Sequence, residues 1–366
     1  MQQSIPVMQF RGGSSKGLFF KAEDLPVDET ERNKIVLAAM EGVGHGDPRQ
    51  IDGLGGATSL TSKAAVVSLS KTPGVDLDYL FLQIVIGKGK IAIAQTCGNI
   101  LAGVVPFAIE SGMIPAASPT TTAKVQLMNT GGVCEVLVET PDGKVNYAGN
   151  GKVDGVPGTS APIICNYLET QGSTCGTLFP TGNLSDIVDG IEVTCIDNGM
   201  PEIILRANDL GISGYESPNE LDNNETLKKK LESIRLQMGP KMNLGDVRDK
   251  TIPKMCIISA PQNGGDINTR TFIPHVCHEA IGVLGAVSVA TAYVIKGTIA
   301  FEILYTKTRT PENIKSKISV EHPSGEFTVN LELSFEKNGV AINKSGVMRT
   351  ARLLSSGLVY IPTESI

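Results

Sequence analysis

Two segments of this 366-residue chain are apolar on nearly every side of a predicted helix, at 99–111 and 278–295. A helix that is hydrophobic all round has to be buried. Neither segment offers the roughly 18 uninterrupted apolar residues that a membrane span requires, since 280–295 is interrupted by Gly, Ser, Thr and Tyr. Each segment therefore needs a shell of protein around it, and this requirement constrains the fold more than any other feature.

Strand-like segments rich in β-branched and aromatic residues supply such a shell in both halves of the chain. They lie at 6–10, 17–21, 64–68, 79–86, 90–94, 191–196, 202–206 and 255–259. Polar outer helices are predicted at 28–40 and 225–238. The pattern predicts an α+β fold with two pseudo-equivalent domains, each a mostly antiparallel sheet wrapped around one central buried helix.

The length supports two domains, because single hydrophobic cores stop growing at about 250–300 residues. A turn cluster at Pro180-Thr181-Gly182-Asn183 predicts the boundary, which gives domains of 1–183 and 184–345. The strand-like tail within 346–366 is expected to complete the first domain by pairing back onto it.

The composition excludes several partners. The chain is 41% hydrophobic and 19% charged, and its net charge is −6. It therefore lacks the excess of basic residues that proteins use to bind nucleic acids or anionic membranes. Seven cysteines without CxxC pairs, and an N-terminus without a signal pattern, predict a cytoplasmic protein with reduced thiols. A homo-oligomer is left open.

The stretch Gln95-Thr96-Cys97-Gly98-Asn99 places a thiol at a predicted helix start. There the helix dipole favours the thiolate, and free N–H groups of Gly98 and Asn99 can hold a carboxylate. A small buried thiol is also a common core filler. The Gly-Asn pair favours the catalytic interpretation, with Cys97 as acid or base at a carbon atom.

A lysine stands at the entrance of a predicted strand, in Leu60-Thr61-Ser62-Lys63 followed by Ala64-Ala65-Val66-Val67. Partial burial at the base of a polar loop favours the neutral amine, which can accept a proton. A solvated lysine at a strand end fits the same spacing. Lys63 is therefore a candidate base, with Ser62 as a candidate substrate ligand beside it.

Arg11-Gly12-Gly13-Ser14-Ser15-Lys16-Gly17 is a cluster of hydrogen-bond donors between two predicted strands. Its guanidinium, hydroxyl and backbone N–H groups predict an anion pocket in which Arg11, Ser14, Ser15 and Lys16 bind a carboxylate. The P-loop pattern is absent, and an ordinary glycine turn is the alternative.

Three histidines are candidate substrate ligands. His275 and His278, in Pro274-His275-Val276-Cys277-His278, precede the second apolar segment and could contact the substrate. Together with Cys277 they could also bind zinc, although no further ligand cluster accompanies them, so no metal is predicted. His322 is either another carboxylate contact or a turn residue, and His45 is interpreted as a surface residue.

These motifs together resemble the PrpF-like isomerase family, which shares the two-domain fold of diaminopimelate epimerase. The similar segments are 11–17, 50–56, 60–63, 97–99, 106–110, 154–159, 180–183, 197–201, 274–278 and 322–325. The resemblance implies an active site in the cleft between the domains, with Lys63 and Cys97 at the catalytic positions. It also implies a cofactor-independent isomerase that moves a proton within a small unsaturated di- or tricarboxylate.

The substrate branch and two other classes of function stay open. The segment 272–278, with 244–247 upstream, is most similar to the 4-oxalomesaconate tautomerase branch; 3-methylitaconate and 2-methylaconitate isomerases are the alternatives. Diaminopimelate epimerases carry a second catalytic cysteine where this chain has Ala280-Ile281-Gly282-Val283, and Cys277 is out of register with it. A Lys/Cys pair is compatible with a 1,3-proton shift. The other classes are a carboxylate-binding accessory protein and a thiol hydrolase that uses Cys97 with His275 or His278.

Overall fold

The computed structural model describes residues 1–43, 46–93, 96–303, 314–336 and 339–363, so His45 lies outside the described residues. The strands are β1 (Gln2–Gly12), β2 (Ser15–Lys21), β3 (Lys63–Leu69), β4 (Leu77–Val85), β5 (Lys90–Ala92), β6 (Thr120–Leu127), β7 (Val133–Glu139), β8 (Ile163–Leu168), β9 (Asp186–Val188), β10 (Ile191–Asp197), β11 (Pro201–Arg206), β12 (Lys254–Ser259), β13 (Ile267–Phe272), β14 (Ile314–His322), β15 (Gly325–Glu336), β16 (Gly339–Arg349) and β17 (Ala351–Pro362). The α-helices are α1 (Glu29–Glu41), α2 (Gly98–Leu101), α3 (Val104–Glu110), α4 (Pro218–Asp222), α5 (Glu225–Lys241), α6 (Val283–Val294) and α7 (Ile299–Glu302).

The chain divides into two compact units. Unit 1 comprises Met1–Leu168 and Met348–Ile366, and unit 2 is the intervening Glu169–Val347. The predicted boundary at residue 183 lies later in the chain than this division. The reason is that the segment after Leu168 bonds within unit 2: Thr170 Oγ1 donates to Asn198 Oδ1 at 2.5 Å, and Asp197 Oδ2 accepts from the N–H groups of Thr174 and Cys175.

Unit 1 contains a mixed sheet that starts at β17. β17 pairs antiparallel with β1 and β1 with β2, whereas β2 and β3 are parallel. β4 runs antiparallel to β3 and β5 and parallel to β6, and β6, β7 and β8 follow as an antiparallel series. The tail strand thus belongs to the same sheet as the N-terminal strands.

The two faces of this sheet differ, because side chains alternate along each strand. Ala64, Val66, Leu82 and Ile84 lie in the cluster that includes the apolar residues of α1. Asp28 caps that helix by accepting the N–H of Glu31 at 3.0 Å. The alternate residues of β3 and β4 therefore point to the opposite face.

The first apolar segment forms two short helices, α2 and α3, where the sequence predicts a single helix over 99–111. The break lies at Ala102 and Gly103, and the N–H of Gly103 bonds the carbonyl of Ile100. A side chain on Gly103 would place its Cβ 2.7 Å from Phe19 Cζ. Close packing on that ring requires glycine here, and glycine and Pro106 both weaken a continuous helix.

The second apolar segment forms α6, which begins at Val283 where the sequence predicts a start at His278. Residues before it make a local turn, in which the N–H of Ala280 donates to His278 Nδ1 at 2.8 Å. Gly282 has extended backbone angles and ends this turn. His275 and His278 therefore precede the helix and lie outside its first turn.

Unit 2 also contains mixed strand pairing. β9, β10 and β11 are antiparallel in series, β11 and β12 are parallel, β12 and β13 are antiparallel, and β13 and β14 are parallel. One face of these strands packs on apolar residues of α5, and α6 contacts β10, β11, β14 and β15. Within the described part of the chain, no helix combines the length and the apolar character needed to cross a membrane.

Candidate active site

The glycine-rich turn between β1 and β2 packs against the start of α2. A Cβ on Gly12 would lie 2.2 Å from the carbonyl oxygen of Asn99, and a Cβ on Gly13 would lie 2.1 Å from Asn99 Oδ1. Gly13 also has φ of +51°, in the left-handed region. Glycine is therefore required at both positions for the turn to approach Asn99.

Asn99 links the helix start to the serines of that turn. Its Nδ2 donates to Ser14 Oγ at 3.1 Å and is 3.4 Å from Ser15 Oγ. Ser15 is buried, whereas Ser14 and Asn99 are half-buried. The structure therefore brings together three of the predicted carboxylate ligands.

Arg11 anchors the turn through neutral partners. One nitrogen donates to the carbonyl of Gly13 and to Thr350, and the other donates to Ser160 Oγ at 3.1 Å. Burial, and secondarily Arg352, lower the pKa of Arg11 from its ordinary value. Most of its donors are thus committed to holding the turn in place.

Lys63 lies next to the same turn, because Gly17 of β2 is its register partner. A Cβ on Gly17 would lie 2.6 Å from the carbonyl oxygen of Lys63 and 3.2 Å from Ile100 Cδ1 of α2. The start of β2, just after the turn, therefore touches both the lysine strand and the helix that follows Cys97. The backbone N–H of Lys16 donates to the carbonyl of Leu60, and its side chain makes no hydrogen bond or ion pair with the part of the chain that the structure describes.

The Lys63 side chain is 7% exposed and has neutral partners. Its Nζ donates to Gln83 Oε1 at 2.5 Å and lies 5.2 Å from the centre of the Phe81 ring. A buried ammonium requires such compensation. Among the described residues, no carboxylate lies within 4.0 Å of this nitrogen.

Ser62 and Gln83 hold the backbone before Lys63. Gln83 Nε2 donates to the carbonyl of Ser62 at 3.0 Å. Ser62 is fully buried, and its Oγ donates to Gln50 Oε1 at 2.6 Å. In this arrangement Ser62 supports the position of Lys63, and its hydroxyl is already engaged.

Cys97 is half-buried and occupies the N-cap position of α2. The buried hydroxyl of Tyr79 donates to its carbonyl oxygen at 3.2 Å. Burial raises the pKa of Tyr79 well above its ordinary value, and the proximity of Cys97 adds to the shift. The phenol therefore stays protonated and remains a donor.

A single face of β4 connects the two candidate catalytic residues. Tyr79, Phe81 and Gln83 alternate along the strand, so their side chains lie on the same face. The first contacts Cys97, and the other two contact Lys63. The amine and the thiol segment thus share one side of the sheet in unit 1.

The predicted histidine ligands all lie in unit 2, and each has different surroundings. His275 is exposed, with Nδ1 3.7 Å from Glu232. His278 accepts the Ala280 N–H, and burial followed by the Lys254 charge lowers its pKa. His322 is buried beside the Phe327 ring, 5.3 Å between centres. In the described ranges, no three His, Cys, Asp or Glu side chains form a group able to hold a metal ion.

The sequence interpretation did not identify Tyr79, Phe81, Gln83 or Gln50 as parts of the site. The first three lie in a strand-like segment, where the local pattern does not distinguish them from other strand residues. Only the pairing of Lys63 with Gln83 across β3 and β4 shows that Phe81 and Gln83 line the lysine and that Tyr79 lies on the same face. The alternation of residues 79, 81 and 83 was the available signal, but the strand register was needed to use it.

Known proteins match the chain from end to end. It matches the family described as PrpF protein over residues 2–362. It is 49% identical over 364 residues to the 4-oxalomesaconate tautomerase of Pseudomonas putida, covering 100% of this chain and 98% of that protein. The solved structure of a methylitaconate-delta-isomerase has a TM-score of 0.86 at 31% identity, covering 100% of this chain and 97% of that one.

A hydroxyproline epimerase from Agrobacterium vitis has a TM-score of 0.53 at 11% identity, covering 98% of this chain and 92% of that one, which shows the epimerase-like fold alone. The named full-length relatives are isomerases, and the chain is a member of this class of enzyme. Within that class it belongs to the PrpF family, as its motifs predict.

Proposed function

We propose that the protein catalyses a 1,3-proton shift in an unsaturated tricarboxylate of the 4-oxalomesaconate type. The observation that carries the proposal is the placement of Lys63 and the Cys97 segment along one face of β4. Both elements also touch the serine-containing turn after β1. The residues proposed as proton donor, proton acceptor and anion ligands thus belong to one region of unit 1.

In this mechanism one of the two groups removes a proton from a carbon next to a carboxylate or keto group. The electron pair moves into the conjugated system, and the resulting enolate is stabilised by fixed donors such as Ser14 and the first N–H groups of α2. The other group delivers a proton at the far end of the system. No net oxidation occurs, and the double bond changes position.

The substrate class is supported by the relatives. The tautomerase that is 49% identical acts on 4-oxalomesaconate by its name, whereas the structurally matched methylitaconate isomerase is 31% identical. The higher identity favours the oxo-tricarboxylate, with 3-methylitaconate and 2-methylaconitate as the alternatives to be screened beside it.

The proposal also covers cofactor use, cellular location and domain architecture. Chemistry without a cofactor needs only an acid, a base and fixed donors, and Lys63, Cys97 and the turn can supply them. A cytoplasmic location is consistent with seven free cysteines. Two equivalent domains, each with a central helix, are supported by the burial of α3 in unit 1 and α6 in unit 2. The site between the domains stays a prediction.

The test is solvent deuterium entry into 4-oxalomesaconate, followed by NMR. We expect the single variants Cys97→Ser and Lys63→Met to lower exchange by about 10²- to 10⁴-fold, the usual contribution of general acid-base groups. Lys88→Met, at an exposed turn lysine, is the matched control and should exchange normally. Full exchange in the Cys97→Ser, Lys63→Met double variant would refute the assignment.

The same experiment separates the other classes. A carboxylate-binding accessory protein would bind the acid without exchanging its carbon-bound protons. A thiol hydrolase would instead accumulate an acyl-enzyme on Cys97 with an ester or amide, which mass spectrometry detects.

A further inference from the structure

Three cationic side chains lie in a row across neighbouring strands of unit 1. Arg11 of β1 is the register partner of Lys16 on β2 and of Arg352 on β17, and both pairings are antiparallel. The three side chains therefore point to one face of the sheet, with adjacent Cβ atoms about 5 Å apart. Like charges placed directly opposite each other destabilise a sheet. The row lowers the stability of this corner of unit 1 unless an anion offsets it.

No carboxylate in the described ranges lies within 4.0 Å of these cations. The side chains of Lys16 and Arg352 make neither a hydrogen bond nor an ion pair with the part of the chain that the structure describes. The guanidinium group of Arg11 bonds carbonyl and hydroxyl groups, all of them neutral. Because arginine stays protonated in proteins, the positive charges of the row face one another without a counter-charge.

The two arginines differ in their exposure to solvent. Arg352 is exposed, whereas Arg11 is half-buried. Burial, and secondarily the charge of Arg352, lower the pKa of Arg11, so the two guanidinium groups are close enough to interact. A charge away from bulk water attracts an anion more strongly than a fully hydrated one. An anion can thus reach the row from solvent through Arg352 and gain its stronger contact at Arg11.

The row lies on the sheet face opposite Lys63. Leu18 and Phe20 alternate with Lys16 along β2, and both belong to the cluster that packs on α1. Lys63 is the register partner of Gly17, which lies between Lys16 and Leu18, so its side chain points to the other face. The row and the candidate catalytic lysine therefore belong to different faces.

We propose that Lys16, Arg11 and Arg352 bind a small multivalent anion, such as a tricarboxylate or phosphate, on the face of unit 1 opposite Lys63. Two strand spacings, about 10 Å, separate the outer members of the row. Long side chains on both flanks can close that distance around an anion that carries two or more charges. Arginine and lysine are common ligands of carboxylate and phosphate groups. The inference rests on the charges of this row and does not require the proposed function.

Arg11 connects the bound anion to the turn after β1. Its other hydrogen bonds reach the carbonyl of Gly13, Thr350 and Ser160 Oγ. An anion between the strands removes the repulsion between β1 and β17 and leaves these bonds in place. We therefore expect multivalent anions to raise the melting temperature of the protein.

The experiment measures binding of tricarballylate, a saturated tricarboxylate, by calorimetry at low ionic strength. Arg352→Gln should bind one anion fewer per chain than the unmodified protein, or bind it at least about tenfold more weakly. Lys16→Gln should weaken the same site. Arg248→Gln removes an exposed arginine of unit 2 and is the matched control, which should bind as the unmodified protein does.

Thermal unfolding gives a second readout. Without an added anion, Arg352→Gln should melt at a higher temperature than the unmodified protein, because the repulsion across β1 and β17 is relieved. Tricarballylate should raise the melting temperature of the unmodified protein more than that of Arg352→Gln. Both differences should shrink in 0.5 M NaCl, since salt screens exposed charges.

Titration with inorganic phosphate identifies the source of the anion. A lower Kd for phosphate than for tricarballylate assigns the site to phosphate, and the reverse order assigns it to a polycarboxylate. Acetate carries a single charge and should bind at least about tenfold more weakly than the better of the two.

Equal numbers of sites and equal affinities in Arg352→Gln and the unmodified protein overturn the inference. Acetate binding as tightly as the multivalent anions also overturns it. The proposed function is judged separately by deuterium exchange. Exchange together with unchanged binding in Arg352→Gln refutes only the inference, whereas loss of one site in Arg352→Gln without any exchange in the unmodified protein refutes only the isomerase.

Discussion

Lys63 is buried, yet its nitrogen is positioned to meet a substrate. Its ammonium is held by an amide oxygen of Gln83 and by the face of Phe81, and both partners are neutral. A neutral partner fixes the position of the nitrogen without forming an ion pair with it. Among the described residues no carboxylate lies within 4.0 Å of this nitrogen, so it is left for the substrate.

Gln83→Met removes the acceptor of Lys63 and the donor to the Ser62 carbonyl. We expect kcat/KM to fall about 10- to 100-fold because the amine loses its fixed position. The unfolding free energy should fall by about 1–3 kcal/mol, since the buried Lys63 nitrogen loses its hydrogen-bond acceptor. Exchange kinetics and urea unfolding provide the two measurements.

Gln126→Met is the matched control, because Gln126 also donates to backbone carbonyls in unit 1, at Gly131 and Gly132. It should leave kcat/KM unchanged. Equal losses of activity in the two variants would show that Gln83 has no special relation to Lys63.

At this scale the sequence indicates candidate residues within a recognisable motif, such as Lys63, Cys97 and Asn99, whose roles stay predictions. It does not predict Tyr79 or Gln83. Their roles depend on which strand lies beside β3 and in what register, and such non-local pairing is not encoded in the local pattern. The hydrogen bond from the Ser62 hydroxyl to Gln50 could not be predicted for the same reason, since Gln50 lies in a separate loop.

At the scale of elements, the turn between β1 and β2 is the piece that determines the spacing of the site. It touches the start of α2 through Gly12 and Gly13, and the strand β2 that follows it touches β3 through Gly17. Its glycines are close-approach positions, so the turn, α2 and β3 cannot move independently.

Gly13→Ala tests this coupling. The new methyl group would require Asn99 Oδ1 to move, and a left-handed φ adds backbone strain. We expect a loss of about 1–3 kcal/mol in stability and at least tenfold lower kcat/KM, measured by thermal unfolding and exchange kinetics.

Gly74→Ala is the control, since Gly74 has φ of +76° but nothing within 4 Å of its Cβ position. It should suffer the strain and keep its activity. If both variants lose activity equally, the approach of the turn to Asn99 does not matter for catalysis.

Element types were predictable where a local signal was clear, as in α1 with its Asp28 cap and acidic first turn, and in the strands that pair at the centre of each unit. Helix bounds were not, because tertiary contacts decide them. Gly103 interrupts the first apolar helix to make room for Phe19, and the His278 turn delays the start of α6. Neither contact is visible in a helical pattern.

At the scale of the whole molecule, Glu202 makes stability depend on pH. Burial raises its pKa in the folded chain from the ordinary 4.5 to about 8, so between these values the folded state binds more protons than the unfolded state. The contribution of Glu202 to the free energy of unfolding is therefore fully present below about pH 4.5. It is lost as the pH rises through 8, by up to about 1.4 kcal/mol per pH unit.

Glu202→Gln removes this term, so its unfolding free energy relative to the unmodified protein should increase steadily from pH 5 to pH 8. Urea unfolding at several pH values measures the difference. A difference that does not change with pH would mean that Glu202 ionises in the folded chain as it does in water.

Unit 1 is assembled from two stretches of chain that are separated by all of unit 2, and β17 closes it by pairing along β1. On the ribosome, the N-terminal strands therefore emerge long before the strand that covers their edge. Unit 2 can complete its fold while unit 1 still presents an open β-edge, the kind of surface that attracts other extended chains. The half of the enzyme that carries Lys63 and Cys97 thus needs a strand that is synthesised after all of unit 2.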